Sequence, residues 1–296
     1  MAKVLTPIPS LDFDPTECAG TWLMLTQAGH QVVFATPDGK PGAADDIILT
    51  GRGLDPWGFI PFLRGITILG RLLGANRDAK EAYRQMERSP AFQNPQRWQD
   101  VAPADYDALF LPGGHRSRGM RQYLESSETR RIVLDFFVRD KPVAAICHGV
   151  LLAARTLNPA TGQSVLYGRK TTGLTWDLER SGLLVGRIGR FWEPNYYRTY
   201  KEEPGQPAGY MSVQQEVTRA LASPADFLDV PKTSPNYKAQ TGGIKRDTTT
   251  DPTPAFVVRD GKYLSARWPG DVFTFGKTFA ALLSEAKQPA AGATVA

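Results

Sequence analysis

Cysteine and histidine are scarce in this chain, two and three residues respectively out of 296. The two cysteines, Cys18 and Cys147, are too few for a disulfide framework and fit a reducing compartment. Two separated cysteines and histidines in loops give no metal-ligand spacing, so no metal is expected. Runs of Lys or Arg are also missing. The 35 basic residues are scattered among 30 acidic ones, so the net charge of +5 does not make a nucleic-acid footprint, and nucleic acid is not an expected partner. Mild positive charge instead helps to attract small anions. The most apolar stretch, Trp57 to Leu73, is interrupted by Pro61, three glycines and two arginines. It falls short of the ~20 apolar residues that a bilayer span needs, so no membrane span is expected. It reads as an inserted segment packing over a sheet or serving as a subunit contact, and the expected assembly is a homodimer. The start of the chain, Met1 to Pro9, lacks the long apolar core of a signal peptide and reads as a first strand, which points to the cytoplasm. No internal repeat is visible.

What remains is a regular alternation. Residues 3–9 and 31–36 read as strands. Between them 16–29 reads as a helix, with Asp14 as cap, Pro15 in the first turn and Gly29 at the stop. A strand at 107–111, a helix over 120–139, a strand at 142–146 with its helix, a hairpin over 256–266 around Asp260-Gly261, and a helix over 271–285 follow. Strands alternating with helices predict an α/β fold, a mostly parallel sheet covered by helices on both faces. Two irregular regions, about 38–104 and 186–254, are too long for plain connectors and read as inserts. Residues 1–286 are expected to form one domain, with a disordered tail over 287–296.

The chemistry centres on Pro142-Val-Ala-Ala-Ile-Cys147-His148-Gly149. An apolar strand that turns abruptly into a helix forces the turn residue into an awkward backbone conformation and presents its side chain at the carboxyl edge of the sheet, a nucleophile elbow. A cysteine there meets the positive end of a helix, which predicts a lowered pKa and a reactive thiolate. His148 supplies a base or a cationic partner. A cysteine closing an apolar strand is otherwise a core residue, and Cys18 is read that way. His30, at a helix end, is read as a surface residue.

A second motif is Leu111-Pro112-Gly113-Gly114-His115, directly after the 107–111 strand. Paired glycines let a backbone approach a ligand closely, at the sheet edge where open α/β folds bind ligands. If the two strands are neighbours, the Gly114 and His148 amides can converge on one oxyanion, and Gly113 and His115 belong to the same substrate-binding loop. Arg116, Arg118 and Arg121 follow as the one local basic cluster, suited to orienting an anion at the rim or to a solvated helix start.

Tyr106 to His115, then Val143 to Gly149, resemble the ThiJ/PfpI superfamily, and Gly168-Arg169-Lys170-Thr171-Thr172 and Asp260 to Ala266 are similar to its later landmarks. The resemblance covers essentially the whole core. It implies a flavodoxin-like core shared with class I glutamine amidotransferases, and the long inserts resemble the larger glyoxalase/holding-chaperone branch. It further implies that Glu17 stands beside the nucleophile, kept protonated by burial. It also implies that an acid after the strand following the elbow helix orients His148. Glu179 matches that position, with Asp177 as the second choice.

The function these residues predict is a cofactor-independent cysteine-nucleophile enzyme acting on a small carbonyl or amide substrate. The leading reading is glyoxalase-type conversion of 2-oxoaldehydes to 2-hydroxy acids, in which thiol and bases carry every step. An amidase or isonitrile-type hydrolase is the second reading. Glutamine amidotransfer is disfavoured, because no histidine follows His148. A redox sensor or holding chaperone is the third, motivated by the Trp57–Leu73 stretch and by the ease with which an accessible low-pKa thiol oxidises.

Overall fold

The computed structural model describes residues 1–287. Nine strands appear in chain order: β1 (Lys3–Pro7), β2 (Leu11–Phe13), β3 (Gln31–Thr36), β4 (Ala43–Ala44), β5 (Gln96–Arg97), β6 (Ala108–Leu111), β7 (Val143–Ile146), β8 (Val257–Asp260) and β9 (Tyr263–Ala266). The main sheet has the order β5-β3-β1-β6-β7-β9-β8, all parallel except for the β8–β9 hairpin. Its five central strands, β3-β1-β6-β7-β9, follow the flavodoxin-like order, with the switch point between β1 and β6. Every residue of β6 and β7 is buried, as expected of strands covered on both faces.

Helices α1 (Pro15–Gln27), α2 (Asp46–Thr50), α3 (Leu69–Leu73), α4 (Arg77–Glu87) and α5 (Pro90–Gln93) precede β6. They are followed by α6 (Ser117–Glu125), α7 (Ser127–Val138), α8 (His148–Arg155), α9 (Trp176–Gly189), α10 (Val213–Ala220), α11 (Tyr237–Thr241) and α12 (Val272–Lys287). α1 packs against α4 and α12, while α8 packs against α6, α7 and α10. α1 starts as the sequence predicts: Asp14 accepts the Thr16 and Glu17 N–H groups at 2.8 and 2.9 Å, and Pro15 occupies the first helical position.

Four expectations need correction. The 120–139 helix is two helices, because Ser126 takes an extended conformation and its Oγ accepts the Glu128 N–H at 3.1 Å, capping α7. His30 is buried, and its Nδ1 accepts the Ala2 N–H at 3.1 Å, which ties the start of the chain to the end of α1. No strand lies between α8 and α9; the 168–175 segment makes an isolated bridge, Thr171 to Phe227, and Thr172 N–H donates to Ser265 Oγ at 2.9 Å. The two regions read as irregular carry helices α2–α5 and α10–α11.

Within the Trp57–Leu73 stretch, Asp55 accepts the Ile68 and Leu69 N–H groups at 3.0 and 2.7 Å and so starts α3. Phe62 and Ile68 remain exposed. No helix among the described residues is long and apolar enough to cross a membrane. The expected tail falls outside the described residues, apart from Lys287, which ends α12.

Candidate active site

The ends of β1, β6 and β7 bring three sequence-predicted residues to one point. Cys147 links β7 to α8 with φ 56° and ψ −121°, a left-handed conformation that a side chain rarely adopts. The strain is held from three sides. Cys147 N–H donates to Ala266 O on β9 at 3.1 Å. A Cβ on Gly149 would lie 2.1 Å from Leu111 O, and one on Gly113 would lie 2.7 Å from His148 N. Glycine is required at both positions, because the loop after β6 is pressed directly against the elbow.

Glu17 reaches this point from the first turn of α1. Its Oε2 accepts the Gly113 N–H at 2.9 Å, and Asp14 N–H donates to Gly113 O at 2.8 Å. Oε1 is buried without another hydrogen-bond partner, and the carboxyl faces the Cys147 thiol. Burial, reinforced by the nearby Asp14, pushes the Glu17 carboxyl well above the usual carboxylate range and favours the protonated form. Cys147 is 4% exposed. Burial, then Glu17 and Asp14, push its thiol up rather than down, which corrects the expectation of a lowered pKa. The helix end does not outweigh desolvation in the resting site.

His148 Nδ1 lies 3.4 Å from Cys147 Sγ, and Nε2 lies 3.0 Å from Thr199 Oγ1. Thr199 Oγ1 also donates to His115 O at 2.7 Å, which uses its only proton. The hydroxyl must therefore accept from Nε2–H, so Nδ1 faces the thiol as a free acceptor. Burial, helped by His115, Arg155 and Arg198, lowers the His148 pKa to about 3, so the ring is neutral and not a cationic partner. Thr199 thus fills the orienting position that the family resemblance assigned to an acid.

Glu179 does not hold His148. It pairs with Arg198 at 3.3 Å and accepts the Val213 N–H at 3.1 Å, and burial raises its pKa to about 7. It lines the cavity described below, whereas Asp177 is exposed. Gly114 also lines the cavity, but the Gly113 N–H is committed to Glu17. His115 stacks on Tyr197 with ring centroids 4.6 Å apart, and burial lowers its pKa to about 4. The basic cluster is already engaged: Arg118 grips Asp12 through two 2.7 Å bonds, Arg116 reaches Glu193 at 3.3 Å, and Arg121 lies over the Tyr200 ring. Cys18 is fully buried, as read from the sequence.

Above the elbow opens a cavity of about 350 Å³. Its floor holds Glu17, Gly114 and Cys147, and its walls come from the inserts, including Leu72, Leu73, Ile244 and Arg246, and from α9. Thr199, Tyr197, Arg246 and Trp268 escaped the sequence reading. Each lies in an insert or a connector, and no local pattern marks it. Among the described residues no group of three or more His, Cys, Asp or Glu side chains is placed to hold a metal.

Comparison with known proteins agrees with this fold. The curated relatives include Glyoxalase 3 of Candida albicans, 28% identical over 102 residues, which cover 34% of this chain and 42% of that protein. Protein/nucleic acid deglycase 2 of Escherichia coli is 37% identical over 78 residues, covering 25% of this chain and 38% of that protein. The match thus spans less than half the length of either relative. The crystal structure of glyoxalase III from Candida albicans superposes with a TM-score of 0.57 at 16% identity, covering 95% of this chain and 97% of that one, which shows a shared fold. Residues 8–204, more than half of the chain, match the family model described as ThiJ/PfpI family-like, and the chain belongs to that family.

Proposed function

We propose that this protein is a cofactor-independent 2-oxoaldehyde-converting enzyme with Cys147 as nucleophile. One observation carries the reading: a strained elbow cysteine sits between a neutral histidine acceptor at 3.4 Å and a carboxyl that burial keeps protonated. Cys147 Sγ attacks the aldehyde carbon and a C–S bond forms. His148 Nδ1 takes the thiol proton, and Glu17 donates to the former carbonyl oxygen, giving a hemithioacetal. The Glu17 carboxylate left by that transfer removes the hydrogen on that carbon as a proton while protonated His148 gives its Nδ1 proton to the adjacent carbonyl oxygen. Glu17 then returns its proton to the adjacent carbon as His148 takes the hydroxyl proton from the attacked carbon. The aldehyde carbon is oxidised while the neighbouring ketone is reduced to an alcohol, so no external redox partner is needed. Water hydrolyses the resulting thioester, releases the 2-hydroxy acid and regenerates the thiol. In this reading the Gly114 and His148 N–H groups receive the developing oxyanion, supported by Gly114 lining the cavity beside Cys147. Glyoxalase names among the relatives favour this reaction over amide hydrolysis.

The test is lactate formation from methylglyoxal by wild type and Cys147→Ser. The variant should keep its circular dichroism and melting temperature and lose at least about 99% of turnover, in line with the scale of covalent and acid–base contributions. Wild-type-like turnover in the variant would overturn the mechanism.

A further inference from the structure

The cavity holds one guanidinium whose hydrogen-bonding capacity is only partly used. Arg246 comes from the second insert, and its Nη2 donates to Leu73 O, in the first insert, at 3.0 Å. Its Nη1 is buried and has no hydrogen-bond partner, and no carboxylate pairs with it among the described residues. It lies over the Trp268 ring, 5.8 Å from the centroid. An unpaired donor on a buried cation is costly, because the lost hydration is not replaced. Burial lowers the Arg246 pKa accordingly, and nearby Asp14 only partly offsets this.

The surroundings say what would fill the gap. The cavity of about 350 Å³ is of the size that takes drug-like molecules. A three-carbon oxoaldehyde would leave most of it empty. Leu73, Leu178, Val185, Ile244 and Trp268 give it apolar walls around the arginine. Arg246 and Cys147 line the same cavity, so one ligand bound there can engage both.

We infer that Arg246 anchors a carboxylate carried on the far end of the substrate, and that the preferred substrate is a bulky, apolar oxoaldehyde bearing such a group rather than methylglyoxal. The reacting end of this inference rests on the function proposed above; the anchoring end does not. A carboxylate on Nη1 would satisfy the open donor in a charge-assisted bond, and the apolar walls would bury the linking chain or ring.

The experiment separates the two. Binding of 4-phenylbutyrate and of its uncharged amide, 4-phenylbutyramide, is measured by calorimetry on the full-length wild type, Arg246→Met and Arg246→Lys. The expected result is at least about tenfold tighter binding of the acid by the wild type, as expected of a bond to a charged group. Arg246→Met should lose that preference while binding the amide as before, and Arg246→Lys should keep part of it. If Arg246 only braces the two inserts, both ligands weaken together and the ratio stays unchanged, which overturns the inference. Equal binding of acid and amide by the wild type also overturns it. Turnover is not the readout, so an Arg246-dependent preference in a protein inert toward every oxoaldehyde would sink the glyoxalase reading alone.

Discussion

Replacing Gly149 by alanine tests the physical basis of the elbow. A Cβ there would lie 2.1 Å from Leu111 O, 2.8 Å from Leu111 C and 3.0 Å from Pro112 O, all backbone atoms that cannot rotate away. Ordinary contact begins at 3.4 Å, so the elbow and the loop after β6 must separate by 3.4 − 2.1 = 1.3 Å. The same loop carries the Gly113 N–H that holds Glu17, so the displacement pulls the carboxyl away from the thiol. Overpacking of this kind costs about 1–3 kcal/mol, and misplacing reacting groups by about 1 Å costs on the order of 100-fold in rate. Gly261→Ala is the control. Gly261 has φ +60° with nothing within 4 Å of its would-be Cβ, so it should lose about 1 kcal/mol and no activity. Urea unfolding gives the stabilities, and methylglyoxal turnover under saturating substrate gives the rates. A Gly149→Ala protein within about 0.5 kcal/mol of wild type and within about threefold in kcat would refute the close-packed elbow.

Thr199→Val should lower kcat by about 10- to 100-fold and Thr199→Ser much less, since only the hydroxyl can hold the His148 tautomer; equal kcat in all three proteins would dismiss that role. Iodoacetamide should label Cys147, which lines the cavity, before the fully buried Cys18, and only above the ~8.5 typical of a free thiol; mass spectrometry showing Cys18 labelled first would contradict the site. Asp247 gives a pH test, since burial raises its pKa from 3.8 to about 7 while its Oδ2 caps α12 through Thr274 N–H at 2.6 Å. The folded state then holds a proton that the unfolded state releases, so this contribution is full below pH 4 and is lost as pH rises toward 7. Relative to Asp247→Asn, wild type should lose on the order of 3 kcal/mol between pH 4 and 7, read from denaturant melts; parallel profiles would show that Asp247 ionises normally.

Much of the architecture was legible because it is written in local pattern. The buried run at 143–146 and the glycines at 113, 114 and 149 mark strand ends and tight turns whatever the rest of the chain does, and Asp14 with Pro15 fixes the start of α1 by backbone chemistry alone. From these come the parallel sheet and the placing of Cys147 and the glycine loop at its carboxyl edge, whereas Glu17 was placed beside them only by the family resemblance. Ser126 was misread for the opposite reason: its helix break depends on one side-chain cap rather than on the apolar period that runs through it.

The sequence alone therefore determined the core fold and the place of Cys147 at the strand-to-helix elbow. Only the tertiary structure decided what surrounds that thiol. Burial, which no local pattern reports, raised the Cys147 thiol against the pull of the helix end and left His148 neutral. Long-range packing chose Thr199, fifty-one residues from His148, over the acid that the family resemblance implied, and paired Glu179 with Arg198 instead. Part of the cavity wall comes from the two inserts, whose helices and turns are placed over the sheet edge by long-range packing rather than by local pattern. Where Arg246 and Leu73 meet is set by the way those inserts fold over the sheet edge, a contact spanning 173 residues.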